Sequence, residues 1–229
     1  MEPQFKAIAD HALLVTFADE INEAAHATVI ALDKAIVAAP PVGMIETVPA
    51  LVNLLVSFDP VITDHVLVEA SVCACLTNLE IQTIAGVQRR VQVCYETPFE
   101  PDLDSVAAAK GLSTEAVIKA HLNGDYHVLM YGFSPGYAYL SGVTEDIQLP
   151  RKLAPVRDVP AGSVIIAGPQ CLVTTLTMPT GWSIIGRSPT RILTNDPSHP
   201  FLFDVGDRVT FERIDLATFE RLDKDINHG

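Results

Sequence analysis

The strongest constraint on the fold is the stretch of residues 157–189, in which glycine and proline bracket two short apolar runs. The runs are Ser163–Ala167 and Trp182–Ile185, and each has the length and composition of a buried β-strand. Because glycine permits tight turns and proline ends ladder pairing, the bracketing residues fix where each strand stops. From His127 onward short apolar runs keep alternating with glycine and proline. This pattern predicts a closed or folded β-architecture for the second half of the chain.

Two polar side chains follow the ends of these strands and are candidates for substrate binding. Gln170 comes shortly after the first strand, and Arg187 comes at the end of the second. A guanidinium can hold a carboxylate or phosphate at two points, and a glutamine amide can both donate to and accept from an amide. We therefore expect Gln170 and Arg187 to line a shared cavity for a small anion. The competing interpretations are a surface ion pair for Arg187 and a loop-bracing hydrogen bond for Gln170.

Three neighbouring residues are further substrate-binding candidates. Ser163 follows a glycine, so its hydroxyl either contacts substrate or completes a turn. Trp182, the only tryptophan, either stacks on a ligand or anchors the core. Tyr137 lies in an aromatic turn and is placed to line a groove. No catalytic residue is identified, because no convincing general base accompanies these side chains.

Residues 132–136 also satisfy the G-x-S-x-G pattern of a hydrolase nucleophile elbow, after the predicted strand Tyr126–Tyr131. Two physical objections stand against that interpretation. Pro135 has no backbone N–H to donate to an oxyanion, and it restricts Ser134 to extended geometry. A rigid aromatic turn is therefore preferred to a serine nucleophile.

The first part of the chain has a different pattern. Apolar residues recur at helical spacing between Ile21 and Ile36, and an amphipathic pattern runs from Asp64 to Ile81. Short strand-like runs precede each of these segments. Near Val87 the helical pattern gives way to an alternating strand. The sequence thus predicts an α+β chain, with a small N-terminal α/β domain at residues 1–87 and a second domain at residues 88–229.

Several motifs together resemble one known family, which contains the B subunit of bacterial 5-oxoprolinase, allophanate hydrolase subunit 1 and a sporulation kinase inhibitor, and is of the carboxyltransferase subdomain C/D type. The matching segments span almost the whole chain and are Asp10–Phe17, Glu46–Ala50, Phe58–Pro60, Gly132–Leu140, Arg157–Gln170, Pro179–Pro189 and Val205–Phe211. The resemblance implies that residues 88–229 form a cyclophilin-like β-barrel. One departure from the family pattern stands out. Cys171–Thr175 replaces the usual Thr-Gly-Ile-Tyr-Pro in what the resemblance implies is a loop at the pocket, and this leaves the substrate open.

The resemblance also implies a function. The chain is expected to be a subunit of a cytoplasmic, ATP-dependent 5-oxoprolinase complex that opens the lactam of 5-oxoproline to L-glutamate. It would need a homologous C subunit and an A subunit, and would be inactive alone. The chain has no glycine-rich P-loop, so ATP is expected at a different pocket, at an interface or on a partner. The alternatives are an allophanate hydrolase subunit and a non-enzymatic inhibitor of a sensor histidine kinase.

Charge and residue spacing exclude other classes. The net charge of −13 argues against nucleic-acid binding, which depends on clustered lysine and arginine. No apolar run approaches the roughly 20 residues that span a bilayer, and the absence of a basic leader favours the cytoplasm. The cysteines and histidines make no metal-ligand spacing, so no metal site is predicted. His121 and His127 flank a turn signal and are predicted to be solvated.

The charge is unevenly distributed. Residues 1–88 contain eleven acidic and two basic residues, a net of −9. One locally basic segment coincides with the motif region, where five bases accompany the single acid Asp158: Arg151, Lys152, Arg157, Arg187 and Arg191. This segment is either an ordinary solvated surface or a site for an anionic substrate.

Overall fold

The computed structural model describes residues 3–77, 79–81 and 86–227, with side chains described up to Lys224. The chain divides into two compact units, Met1–Ile84 and Ala85–Gly229. Each is described by itself.

The first unit is an antiparallel sheet with helices packed on one face. Its elements in chain order are β1 (Gln4–Ile8), β2 (Ala12–Thr16), α1 (Glu23–Ala38), β3 (Met44–Ala50), β4 (Asn53–Phe58) and α2 (His65–Thr77). Among the described residues, the strand order across the sheet is β1-β2-β4-β3. Helix α1 begins where the Asn22 side chain accepts a hydrogen bond of 2.8 Å from the backbone N–H of Ala25.

Alternation along the strands builds the core of this unit. Residues of β2 and β4 that point to the helices are buried, while their neighbours on the other face, apart from the buried Ala12, are only partly buried. The buried set packs against α1 and α2 and consists of Leu13, Val15, Leu54, Val56 and Phe58. Burial of such side chains stabilises the fold by roughly 1.5–3 kcal/mol each.

The second unit contains a β-barrel. Its strands in chain order are β5 (Gln88–Cys94), β6 (Tyr126–Tyr131), β7 (Ala138–Ser141), β8 (Val156–Val159), β9 (Ser163–Ala167), β10 (Gln170–Val173), β11 (Met178–Thr180), β12 (Ser183–Arg187) and β13 (Arg208–Ile214). Within the described part of this unit, seven strands close the barrel in the order β10-β7-β6-β13-β5-β12-β9. The pair β8 and β11 forms a separate two-stranded sheet.

Helices accompany the barrel. They are α3 (Leu103–Lys110), α4 (Thr114–Leu122) and α5 (Leu216–Asn227). Helix α4 begins after Ser113, whose hydroxyl accepts from the N–H of Ala116 at 3.2 Å. The predicted α+β class, with a β-barrel after a small α/β unit, is confirmed. The described residues contain no helix that is both long and apolar enough to cross a membrane.

Strand β9 is buried on both faces, which explains its uninterrupted apolar run. Val164 and Ile166 pack into the barrel interior. Ile165 and Ala167 point the other way, into an outer cluster that also contains Trp182 and Tyr137. A strand between two apolar layers has no solvent face and therefore shows no polar alternation.

The structure corrects one sequence prediction about this region. Cys171–Val173, predicted as part of a pocket loop, belongs to β10, which pairs with β9 from Gln170↔Ala167 to Val173↔Val164. Leucine and valine replace the glycine and isoleucine of the usual pattern, and both suit a buried strand. The substitutions therefore lie in the barrel wall, and only Thr174 and Thr175 follow the strand.

Candidate functional site

The candidate site lies at one end of β9, where backbone hydrogen bonds connect three segments of the chain. Gly162 donates from its N–H to the carbonyl of Thr174 at 2.7 Å, and Ser188 donates to the carbonyl of Gly162 at 2.8 Å. The backbone of Gly162 has a φ of +81°, and a Cβ there would lie 2.4 Å from the carbonyl oxygen of Ser188. Only glycine fits this close approach. The motif glycine thus fixes the loop before β9 against the segment that follows β12.

Hydroxyl groups brace the same loop. The Thr174 hydroxyl donates to the carbonyl of Pro160 at 2.8 Å and accepts from the N–H of Ser163 at 2.9 Å. The Ser163 hydroxyl also donates to Pro160, at 2.8 Å, and Ser163 is buried. The predicted candidate Ser163 is therefore engaged in completing a turn and is not free to contact substrate.

A cavity of about 350 Å³ opens beside this loop. The segment Arg187–Leu193 supplies much of its lining, together with Gly162, Thr174 and Thr175. Two of the five bases of the basic segment, Arg187 and Arg191, line it, and Asp223 of α5 contributes one carboxylate. The charged lining thus has an excess of positive charge, which favours an anionic ligand.

Arg187 is the best-positioned cation of this cavity. It is half-buried at the end of β12, and its guanidinium carbon lies 5.4 Å from the centre of the Phe99 ring. Phe99 in turn packs on Phe219 of α5, with ring centres 4.4 Å apart. Among the described residues no carboxylate forms an ion pair with Arg187. Its hydrogen-bond donors are therefore not committed to a carboxylate of the described chain.

Arg191 is more exposed and is held by its own loop. Its Nε donates to the carbonyl of Leu193 at 3.1 Å, and one terminal nitrogen donates to the Asn195 side chain at 2.9 Å. The Ser188 hydroxyl accepts from the N–H of Thr190 at 3.0 Å, which closes a short turn between the two arginines. Arg191 was part of the predicted basic segment but was not among the predicted pocket residues. The turn that brings Arg191 to the same cavity as Arg187 has no recognisable sequence pattern.

The structure does not bring Gln170 to this cavity, so the expectation of a cavity shared by Gln170 and Arg187 is wrong. Gln170 pairs with Ala167, whereas Arg187 pairs with Ser163. These partners are the two ends of β9, roughly 13 Å apart at about 3.3 Å per residue. Gln170 comes after the carboxyl end of β9, and Arg187 is the last residue of β12. Because β9 and β12 are antiparallel, their carboxyl ends lie at opposite ends of the strand pair.

Trp182 and Tyr137 pack in the outer cluster and do not line the cavity. Their rings both contact the ring of Tyr139, with centres 5.9 Å and 5.8 Å from it. Arg151 lies over the Trp182 ring at 5.4 Å. Burial raises the pKa of Tyr137 to about 12. Both residues therefore have the environment of core aromatic side chains.

The G-x-S-x-G segment forms the aromatic turn that the sequence favoured. The Ser134 hydroxyl lies 3.5 Å from that of Thr175, which itself donates to the carbonyl of Pro135 at 2.8 Å. In the described part of the chain no histidine or carboxylate hydrogen-bonds to Ser134. Phe133 adopts a φ of +69° at the tip of this turn and is exposed. Nothing in this geometry activates a serine nucleophile.

A second polar cluster is enclosed in the barrel core, and the sequence did not predict it. His121 is fully buried, contrary to the expectation that it is solvated. Its Nδ1 lies 2.7 Å from the Tyr95 hydroxyl and its Nε2 lies 3.5 Å from Cys171 Sγ. Burial lowers the pKa of His121 to about 3 and raises the pKa of the Cys171 thiol. The cysteine is therefore a protonated thiol at neutral pH and is no nucleophile.

The described side chains offer no metal site. Across residues 3–77, 79–81 and 86–224, no group of three His, Cys, Asp or Glu side chains is arranged to hold a metal ion. The charged lining of the cavity, two arginines and one aspartate, instead suits an anionic group.

Residues 3–203 match the family of the carboxyltransferase domain, subdomain C and D, and the chain belongs to this family. The chain is 37% identical over 224 residues to the B subunit of 5-oxoprolinase from Bacillus subtilis (strain 168), covering 92% of each chain. The resemblance inferred from the motifs is thus confirmed.

Solved structures share the architecture. The protein TTHA0988 superposes with a TM-score of 0.78 and 31% identity over 90% of this chain. This chain spans only 40% of the length of that protein. The Kluyveromyces lactis urea amidolyase gives a TM-score of 0.85 over 99% of this chain and 16% of its own, at 15% identity. The last similarity concerns the fold alone.

Proposed function

We propose that this chain is a subunit of an ATP-dependent 5-oxoprolinase complex that opens the lactam of 5-oxoproline to L-glutamate. The observation that carries the proposal is the similarity to the B subunit of a 5-oxoprolinase along nearly the whole chain. The partners in this proposal are a homologous C subunit and an A subunit. The cavity beside β9 is consistent with it, because 5-oxoproline carries a carboxylate that a guanidinium can bind.

The chemistry explains why a cation is useful in such a site. A lactam carbonyl is a poor electrophile. Phosphorylation of its oxygen by ATP turns that oxygen into part of a leaving group and adds negative charge to the site. In the proposal Arg187 binds an anionic group of the substrate, either its carboxylate or a phosphoryl oxygen. The packing of Phe99 against the Arg187 guanidinium limits the rotamers of that side chain, so less freedom is lost on binding.

The nucleotide is placed elsewhere in this proposal. The sequence has no glycine-rich P-loop that would hold the phosphates of ATP. We therefore assign ATP to a partner protein of the complex or to an interface with one. In agreement with this assignment, the chain alone is expected to hydrolyse neither 5-oxoproline nor ATP.

Reconstitution tests the proposal. The chain is purified alone and together with its C and A subunits, and ATP hydrolysis and glutamate formation are measured with 5-oxoproline and with allophanate in parallel. The proposal is supported if glutamate forms when all the subunits are present and does not form when the chain is alone. Turnover by the isolated chain would refute the dependence on partners, and turnover of allophanate alone would assign the chain to an allophanate hydrolase.

Two variants test the cavity itself. Replacing Arg187 by alanine removes a charge-assisted contact of about 1.5–3 kcal/mol, so kcat/KM for 5-oxoproline should fall about 10- to 100-fold. Arg157→Ala is the matched control, because Arg157 is an exposed cation of the same basic segment that does not line the cavity. Equal activity of the two variants would show that substrate binds elsewhere, without contradicting the assignment to the complex.

A further inference from the structure

The first unit carries an exposed apolar surface on the side where α2 begins. Six aliphatic side chains, each at least 59% exposed, form what we call the apolar patch: Val42, Ile45, Val61, Ile62, Val66 and Leu67. Single exposed aliphatic side chains are ordinary, but contiguous patches on soluble proteins mark interaction sites.

The segments that carry these six side chains come together around Gly43. The carbonyl of Gly43 accepts from the N–H of Asp59 at 2.9 Å, which joins the start of β3 to the loop after β4. A Cβ at Gly43 would lie 3.0 Å from Cγ2 of Ile62. Asp64 then accepts from the N–H of Leu67 at 2.9 Å, so the first turn of α2 follows this loop directly.

Helix α2 extends the same apolar character. Within His65–Thr77 its only charged residue is Glu69, and its exposed positions include Ala70, Cys73 and Ala74 as well as the patch residues. A surface helix of a globular protein normally presents charged or polar residues to solvent. The outward side of α2 thus has the composition expected of a face that contacts another protein.

The mode of docking follows from β3. This strand lies at the edge of the sheet and pairs only with β4 among the described strands. An edge strand can accept a further strand, but Pro49 and the irregular register between Met44 and Glu46 disfavour it. Contact through the side chains of the patch is therefore favoured over extension of the sheet.

Charge selects the kind of partner. Residues 35–88 contain no lysine or arginine, and the acidic residues Glu46, Asp59, Asp64 and Glu69 lie within or beside the patch segments. A second copy of this chain would bring like charges together around the apolar centre, which is unfavourable. A surface that is apolar at its centre and rimmed by lysine and arginine is complementary in both respects.

We propose that the apolar patch is the docking surface for a partner protein of the complex that presents an apolar centre rimmed by basic residues. This inference rests on the proposed function, which requires partner subunits. It agrees with the length of TTHA0988, in which the region matching this chain is joined to further protein in one polypeptide.

The experiment uses the full chain co-expressed with the C and A subunits. Val61→Glu and Val66→Glu place a carboxylate in the patch at positions that are 92% and 74% exposed, so the isolated chain should keep its Tm within a few degrees. Leu153→Glu is the control, since Leu153 is fully exposed in the other unit. We expect both patch variants to weaken the complex by at least tenfold in Kd, and the control to bind as the wild type does.

Hydrogen exchange of the wild-type chain with and without its partners gives a second readout that needs no substitution. Protection confined to Val42–Val48 and to residues 59–70 supports the docking surface. Wild-type affinity of both patch variants in an active complex overturns this inference and leaves the proposed function intact. If the wild-type chain binds neither the C nor the A subunit, both the proposed function and the docking surface are overturned. If the chain forms a homodimer that the patch variants disrupt, the patch binds a second copy of the chain and the inference of a basic partner is wrong.

Discussion

The buried histidine of the barrel should make the second unit less stable in mild acid. His121 is fully buried between Tyr95 and Cys171, and burial lowers its pKa from 6.5 to about 3. Because the ring is neutral in the folded protein, the unfolded chain binds a proton at pH values where the folded chain does not. The stabilisation from neutral His121 is therefore fully present above pH 6.5 and is lost as the pH falls toward 3.

The size of the effect follows from the two pKa values. Each pH unit between them changes the free energy of unfolding by about 1.4 kcal/mol. At pH 5 the His121 contribution is about 2 kcal/mol below its value at neutral pH, and at pH 4 it is about 3 kcal/mol below. Since domains of this size are stable by only about 5–15 kcal/mol, the loss is a large fraction of the total.

Urea unfolding of the wild type and of His121→Gln between pH 8 and pH 4.5 measures this contribution. Glutamine does not titrate, so the difference in unfolding free energy between the two proteins reports His121 at each pH. At pH 7.5 the variant should be less stable, because the Tyr95 hydroxyl and the Cys171 thiol lose their partner. Toward pH 5 the difference should shrink by about 2 kcal/mol. A difference that stays constant with pH would show that the ring is not held neutral by burial.

Three further predictions concern the stability and reactivity of other residues. Gly162→Ala should cost at least about 2 kcal/mol in urea unfolding, because its Cβ would lie 2.4 Å from a backbone oxygen, whereas Gly168→Ala, with open space around it, should cost about 1 kcal/mol. Asp207→Asn should destabilise the barrel unit by about 2–4 kcal/mol in the same assay, since this buried carboxylate accepts from two backbone N–H groups and one arginine. In native protein at pH 8, iodoacetamide should modify the exposed Cys73 but not Cys171, because burial raises the pKa of the Cys171 thiol. Mass spectrometry of the peptides after quenching identifies the modified cysteine, and modification of Cys171 would contradict the prediction.

The elements of the fold could largely be predicted from sequence because their signals are local. Strand β9 has the predicted bounds Ser163–Ala167, and β6 has the predicted bounds Tyr126–Tyr131. Both are short apolar runs flanked by glycine, which acts on its own neighbourhood through backbone freedom. Cys171–Val173 was the exception, because its strand character is set by burial on both sides and not by a local pattern.

The site was harder to predict because it depends on which strand ends meet. Gln170 and Arg187 each follow a strand predicted from sequence, but Gln170 pairs with Ala167 and Arg187 with Ser163, so they lie at opposite ends of β9. His121 was predicted to be solvated from the adjacent turn, yet it is enclosed by Tyr95, which follows β5, and by Phe211 of β13, both distant in sequence. Strand pairing and enclosure depend on contacts between residues that are distant in sequence. The chemistry of each residue could therefore be inferred from the sequence, but its neighbours in space could not.

The charge distribution limits how an anionic substrate can be recognised. The chain carries a net −13, so its long-range field repels an anion, and the excess positive charge of the Arg187 cavity acts against that field only at short range. At physiological ionic strength the Debye length is about 8 Å, so charges farther than this from a ligand bound at Arg187 are largely screened. Recognition then depends on the local guanidinium contacts, while the rate of approach depends on the whole field.

A basic partner on the apolar patch would reduce the repulsion as well as cover the aliphatic side chains. At low salt the complex should therefore bind an anionic substrate with a higher association rate in stopped-flow measurements than the isolated chain does, and equal rates would argue against a basic partner.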